Sequence, residues 1–125
     1  MDIKDWLRRH AHTSPASADL GLLVLRLWFG LLIAFAHGYG KLAKTGAIAM
    51  GLAKKGFPFP LLMANLAMMA ELFGGLFIAA GFLARSAAAS VLFTMCTAAF
   101  VIHRHDPFVR KEFALAYGIA ALVVL

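Results

Sequence analysis

Ionisable side chains inside apolar stretches are the residues of this chain whose chemistry stands out. Between Leu20 and Lys41 the sequence is mostly apolar, yet it carries Arg26, His37 and Lys41. About 20 apolar residues at a rise of about 1.5 Å per residue can cross the hydrocarbon core of a bilayer. On a helix the three basic residues fall on one stripe, and a charge that faces lipid costs at least about 2.5 kcal/mol. We therefore expect this stripe to face other helices or water.

A carboxylate lies near the centre of a second apolar stretch. Glu71 occurs in the run 61–83, shortly before a Gly-Gly pair. If the two stretches are antiparallel helices, Arg26 lies about 21 Å and Glu71 about 16 Å from the same membrane surface. These depths predict a buried ion pair between Arg26 and Glu71. Such a pair would either pin the two helices together or take part in a proton relay, and the sequence leaves both roles open.

Four further polar residues are predicted to lie at one level, at the membrane surface where the first and third loops emerge. They are His37, Lys41, His103 and Glu112. A group of acid, amine and imidazole could hold a quinone head group, an anion or protons in transit. It could equally be a structural cluster of salt bridges and hydrogen bonds. Two histidines on different helices also permit haem ligation, but nothing else in the sequence specifies a porphyrin pocket.

The composition excludes most classes of soluble protein. Hydrophobic residues make up 62% of the chain and charged residues 14%, against about 45–50% and about 25% in soluble domains. The net charge is +6, and the basic residues lie mostly between and at the ends of apolar runs. This placement favours contact with lipid head groups over binding to nucleic acid. The sequence shows no nucleophile with a paired base, no metal-ligand spacing and no phosphate-binding loop, so enzymatic activity stays open. Cys96 is the only cysteine, which excludes an internal disulfide.

Four apolar stretches position these residues, and they predict an all-α fold. We expect an integral membrane bundle of four antiparallel transmembrane helices, approximately over 20–41, 60–83, 86–103 and 109–125. Residues 20–125 would form one domain after a polar segment, 1–19, which is either a short interfacial helix or a disordered tail. Asp19 is the expected N-cap of the first span, and residues 44–59 are expected to form a loop on the membrane surface or dipping into it. The last run, 113–125, is short, so its helix begins as early as Val109 or the natural chain continues past Leu125.

The ordered set of polar residues within apolar spans resembles the DoxX family of small four-helix bacterial membrane proteins. The resemblance rests on Arg26, Gly30, His37-Gly38, Lys41-Leu42, Gly56, Pro58, Pro60, Glu71, Gly74-Gly75, Gly81, Arg85, His103 and Glu112. It implies a multi-pass protein of the bacterial inner membrane. Some members are subunits of a thiosulfate:quinone oxidoreductase, and others work in membrane complexes that handle oxidative or thiol stress.

Two classes of function follow for this chain. The first is a membrane subunit of a redox-linked assembly, which contacts quinone or docks a partner enzyme. The second is a small-solute or proton-linked transporter, and a purely structural scaffold is a further alternative. The expected partners are the lipid bilayer and either a protein subunit or a second copy of the chain, with no nucleic acid and no metal. Lys and Arg number seven in the first and third loops and four on the other side, which predicts a cytoplasmic first loop.

Overall fold

The computed structural model describes residues 1–11 and 14–125, and these ranges contain helices and no strand. The helices are α1 (Ile3–Ala11), α2 (Pro15–Leu42), α3 (Thr45–Lys54), α4 (Pro60–Ala80), α5 (Ala84–Ile102) and α6 (Phe108–Val124). The predicted all-α class is confirmed. The described residues form six helices rather than four, because two short helices, α1 and α3, accompany the four long ones.

Three of the helices, α2, α4 and α5, are long and apolar enough to cross a membrane. Only 22% to 33% of their most apolar windows is buried inside the protein. Large apolar side chains cover the outside instead, with Trp28 exposed to 71%, Phe93 to 75% and Phe113 to 65%. A soluble monomer does not expose contiguous apolar surface on this scale. The fold is therefore that of a membrane protein.

The first long helix begins earlier than expected. Ser14 is its N-cap, with the Ser14 hydroxyl accepting a hydrogen bond from the Ser17 amide at 3.2 Å, and Pro15 occupies the first turn. The prediction that Asp19 caps this helix is wrong. The helix begins at Pro15, because proline fits the first turn of a helix and the Ser14 side chain caps it. In the polar segment that precedes α2, residues Ile3–Ala11 form the helix α1, which agrees with the helical one of the two predicted alternatives.

The segment expected to be a loop contains a helix of its own. Residues Thr45–Lys54 form α3, whose Ala49 and Leu52 are buried against Ala64 near the start of α4. Burial of this apolar face against α4 stabilises the short helix, since helices in proteins owe most of their stability to tertiary packing. Pro60 occupies the first turn of α4, as its fixed backbone angle favours.

Helix α4 is the centre of the packing. It contacts α2, α3 and α5, while α6 contacts α5 and α2. The core consists mainly of small residues, and the largest fully buried side chains are Ile33, Ile78, Glu71 and Val91. Small residues let helix backbones approach closely, which is how helices associate where lipid removes the hydrophobic driving force. Glu71 is the only charged side chain that is buried in the described residues.

Two glycines bring α2 and α4 into backbone contact. A Cβ atom added to Gly75 would lie 2.6 Å from the carbonyl oxygen of Gly30, and one added to Gly30 would lie 2.5 Å from the carbonyl oxygen of Gly75. Real Cβ atoms essentially never approach backbone so closely. The pairing of Gly30 with Gly75 and Ala79, and of Gly38 with Leu72, shows that the two helices run antiparallel.

We predict that Gly75→Ala destabilises the protein by about 1–3 kcal/mol, because the new methyl group must push the two backbones apart. Gly21→Ala is the matched control, since nothing lies within 4 Å of its Cβ position. That change should be neutral or stabilise α2 by up to about 1 kcal/mol. Thermal unfolding of both variants in the same detergent checks the difference. Equal stability of the two variants would contradict the close approach of α2 and α4.

Candidate functional site

A lysine and a glutamate form the central polar contact of the fold. The Lys41 ammonium on α2 donates a hydrogen bond to Oε1 of Glu71 on α4, at 2.5 Å. The Glu71 side chain is 2% exposed and that of Lys41 30%. The second carboxylate oxygen, Oε2, is buried and has no hydrogen-bond partner among the described residues. A buried acceptor with no partner is rare in folded proteins, and it often marks a site where a ligand, an ion or a proton binds.

A histidine and a tyrosine form a second contact beside the first. Nε2 of His37 lies 3.2 Å from the hydroxyl of Tyr117 on α6, and the two rings meet edge to face at 4.9 Å. Phe29 stacks on the same tyrosine at 6.0 Å. His37 lies four residues before Lys41 on α2, so the two contacts lie on neighbouring turns of the same helix. We call His37, Lys41, Glu71 and Tyr117 the polar cluster.

The backbone of α2 is locally widened where it carries the histidine. Residues Ile33–Tyr39 form a π-helical turn, with hydrogen bonds to the fifth residue back rather than the fourth. Neighbouring residues on this turn meet different helices, since Gly38 lies against the backbone of Leu72 on α4 and His37 reaches α6. Turns of this kind occur often at functional sites. Here the turn lets α2 pack tightly on α4 and still present an imidazole to α6.

The structure does not form the predicted ion pair between Arg26 and Glu71. The partner of Glu71 is Lys41, and the guanidinium of Arg26 lies against Gly81, 2.9 Å from where a Cβ atom of that residue would be. Gly81 comes ten residues after Glu71, which is about 15 Å along a helix. The sequence estimate assumed that α2 ends and α4 begins at the same level. The beginning of α4 extends past the end of α2 and packs on α3 through Ala64, so the true register is shifted.

The structure brings only two of the four residues predicted for a common level into the polar cluster, and the other two make no hydrogen bond or ion pair with it. His37 and Lys41 belong to the polar cluster, whereas Nδ1 of His103 donates to Oδ2 of Asp106 at 2.6 Å. Glu112 is exposed on α6, and no side-chain hydrogen bond or ion pair involves it in residues 1–11 and 14–125. It lies five residues before Tyr117, which puts the two side chains on different faces of the helix. Depth was predicted for Glu112, but the face it occupies was not.

Sequence reasoning missed Tyr117, although a signal for it exists. Ala114, Gly118 and Ala121 are the buried residues of α6 and recur at helical spacing. Tyr117 adjoins this small-residue face and is the one residue there with a polar side chain. A polar aromatic residue at the edge of a small-residue face of a membrane helix predicts a hydrogen bond to a neighbouring helix. Among the described residues, no three His, Cys, Asp or Glu side chains are grouped so that they could hold a metal ion.

The fold and the cluster define an all-helical membrane protein with a buried polar site. The sequence model of the DoxX family matches residues 21–104, which is more than half of the chain. The chain belongs to the DoxX family, which confirms the resemblance seen in its sequence. Searches among curated proteins and among solved structures gave no significant match. The family match includes His37, Lys41 and Glu71, and Tyr117 lies beyond it.

We predict that Lys41 and Glu71 are energetically coupled and that Arg26 and Glu71 are not. In a double-mutant cycle with Lys41→Ala and Glu71→Ala, each single change leaves an uncompensated charge in the core, so the double mutant should recover about 0.5–3 kcal/mol. The cycle of Arg26→Ala with Glu71→Ala is the matched control and should be additive within about 0.5 kcal/mol. Unfolding free energies in detergent give both couplings. Coupling in the second cycle alone would restore the pairing expected from the sequence.

A second prediction concerns the short contact after α5. The hydrogen bond from His103 lowers the pKa of the Asp106 carboxyl below its ordinary value. A lowered pKa in the folded state means that the contact stabilises the fold above the unfolded-state pKa and ceases to do so as the pH falls through the folded-state pKa. Titration of the Asp106 carboxyl carbon by NMR should show this pKa rising towards its ordinary value in His103→Ala. His105→Ala is the control, because His105 bonds to Arg104 instead, and an equal rise in both variants would contradict the assignment.

Proposed function

We propose that this chain is a multi-pass protein of the bacterial inner membrane in which α2, α4, α5 and α6 cross the bilayer as an antiparallel four-helix bundle. Three of these helices have the length and composition of membrane spans. The fourth, α6, has 17 residues, about 25 Å of helix against a hydrocarbon core of about 30 Å. Its contacts with both α5 and α2 support a place within the same bundle.

The function that the site supports best is that of a membrane subunit in a redox-linked assembly, whose polar cluster binds the head group of a quinone. The observation that carries this proposal is the polar cluster itself. Taking an ammonium and a carboxylate out of water costs several kcal/mol per ion before their attraction offsets it. A bundle that only needed to pack could use apolar residues of similar size at Lys41 and Glu71, often with equal or greater stability. This favours a function for the pair beyond packing.

The chemistry of the cluster suits a quinone. The carbonyl oxygens of a quinone accept hydrogen bonds, and the Lys41 ammonium, the Tyr117 hydroxyl and the His37 imidazole can each donate one. Reduction of a quinone takes up protons, and an imidazole can both accept and donate a proton. The electrons would come from a partner subunit, since the side chains of the cluster provide no redox group. The family resemblance supports such a partner, because some members are subunits of a quinone-reducing enzyme.

The surface beyond α5 suits the docking of that partner. The basic residues here lie on α3, on α6 or in the loops that flank them, and four are exposed while Lys111 is half-buried: Lys54, Lys55, Arg104, Arg110 and Lys111. Clustered positive charge attracts an acidic protein surface and raises the rate of association. The same charges favour a cytoplasmic position for this side of the protein. We propose that the partner subunit binds here, beside the polar cluster.

Removing one hydroxyl tests the quinone proposal. Tyr117→Phe should weaken quinone binding by about threefold to tenfold, because a single hydrogen bond contributes about 0.5–1.5 kcal/mol. Tyr39→Phe is the matched control, since Tyr39 is 63% exposed on the outside of α2. The measurement is retention of a benzoquinone by the purified protein in lipid nanodiscs, per folded molecule.

Equal retention by wild type and both variants would contradict a head-group site at Tyr117. Ion or solute flux in liposomes that is lost in Tyr117→Phe, with no quinone retained by the wild type, would favour the transporter alternative instead.

A further inference from the structure

A long groove runs along the outside of the protein between α4 and α5. Its volume is about 720 Å³, within the range of about 300–1,000 Å³ typical of ligand sites. Side chains of α3, including Ile48 and Leu52, close one end, and Leu83 lies at the other. The walls are almost entirely apolar. Because the groove opens outward between two apolar helices, it opens to the lipid rather than to the loops.

The groove has the length of a lipid chain. Along α4 it extends from Met63 to Phe77, and Leu83 after the helix also lines it. This part of α4 rises about 21 Å, and the lining residues of α5, from Ser86 to Ile102, span about 24 Å. A compact solute would leave most of this length empty. An extended hydrocarbon chain would fill it.

Within residues 1–11 and 14–125, the only charged side chains that line the groove are those of Lys41 and Glu71. Three of the four hydroxyls on the opposite wall are already satisfied, because Ser90, Thr94 and Thr97 each donate to a carbonyl of their own helix. The fourth, that of Ser86, lies near the end of the groove marked by Leu83. Glu71 retains a buried carboxylate oxygen with no partner in the described residues. The polar chemistry of the groove is therefore concentrated at one point along an apolar channel.

We propose that this groove binds the apolar tail of a long-chain quinone, which enters sideways from the bilayer between α4 and α5 and brings its head group to the polar cluster at Lys41 and Glu71, the two members of the cluster that line the groove. This inference rests on the proposed function and adds the ligand's tail and its route. The Lys41 ammonium donates to a carbonyl oxygen of the head group. In the reduced form a hydroxyl of the head group donates to the Glu71 carboxylate, an interaction that the oxidised form cannot make because it has no donor.

An acyl chain of ordinary phospholipid is the competing occupant. It would fill the same walls, but its head group lies at the membrane surface and makes no use of a charged pair deep in the groove. A helix from a second copy of the chain is another occupant, and it would exclude any lipid. The quinone differs from both because its retention depends on the head group and on the tail together.

The test compares three compounds on three proteins in lipid nanodiscs. The compounds are a benzoquinone with a long alkyl chain that carries a photoreactive diazirine, the same benzoquinone with a methyl group instead of the chain, and the diazirine chain without the quinone. The proteins are the wild type, Ser90→Phe and Ala89→Phe. Ser90 lines the groove and its hydroxyl hydrogen-bonds only within α5, so phenylalanine there occupies the groove without removing a hydrogen bond between helices. Ala89 is its exposed neighbour outside the groove and controls for adding a large side chain to α5.

We expect the long-chain quinone to label residues of α4 and α5 in the wild type and in Ala89→Phe. Ser90→Phe should retain it about tenfold less well, which corresponds to about 1.4 kcal/mol. The short quinone should bind all three proteins alike, because it needs only the head-group site. A long-chain diazirine hydrocarbon without the quinone should label the groove about tenfold less than the quinone does.

Different failures separate the two proposals. If both quinones bind but Ser90→Phe retains the long one as well as Ala89→Phe does, the groove is not the tail site and the proposed function stands. If the hydrocarbon labels the groove as strongly as the quinone, the groove holds ordinary lipid and the inference is overturned. Crosslinking of α4 or α5 to a second copy, with no labelling by quinone, would also overturn it. If neither quinone binds the wild type, the proposed function and the inference fail together.

Discussion

The contact between Lys41 and Glu71 constrains how the helices of this protein can pack. Both charges lose most of their contact with water, so each depends on the other to offset its desolvation. The contact forms only because Gly30 and Gly75 bring the backbones of α2 and α4 together. A slip of one helical turn, about 5.4 Å, would separate the two charges and move side chains into the glycine contact. Charge pairing and close packing therefore select the same register, and the rest of the bundle is built around it.

Much of the fold could be predicted because the membrane restricts the possible structures so strongly. Long apolar runs must form helices there, so the four long helices followed from length and hydropathy. The small residues around Glu71 also predicted a close helix contact. The short helix α3 was harder to foresee, because ten residues with moderate apolar content fit a surface loop as well as a helix. Its packing on Ala64 is a tertiary contact that has no local signal in the sequence.

The candidate site could be predicted only in part, since its partners depend on register and on helix face. His37, Lys41 and Glu71 stood out because ionisable residues within apolar runs are costly and so invite a functional explanation. The pairing with Arg26 failed because α4 extends past the end of α2, which shifts the depths by several residues. Glu112 lies outside the polar cluster because the depth of a residue does not determine which face of α6 it occupies. Tyr117 was not predicted because a tyrosine carries no charge whose burial in a membrane would be costly. Its hydroxyl nevertheless makes the contact that links α6 to the cluster.

The charge that neutralises Glu71 inside the bundle is that of Lys41. Solid-state NMR of the protein in lipid bilayers tests this directly. The chain has two glutamates, so Glu112→Gln leaves Glu71 as the only one, and its carboxyl carbon can be observed against labelled lysine ammonium and arginine guanidinium nitrogens. We predict strong dipolar coupling of the Glu71 carboxyl to a lysine nitrogen, lost in Lys41→Ala, and none to arginine. Coupling to an arginine nitrogen that is lost in Arg26→Ala would contradict the account.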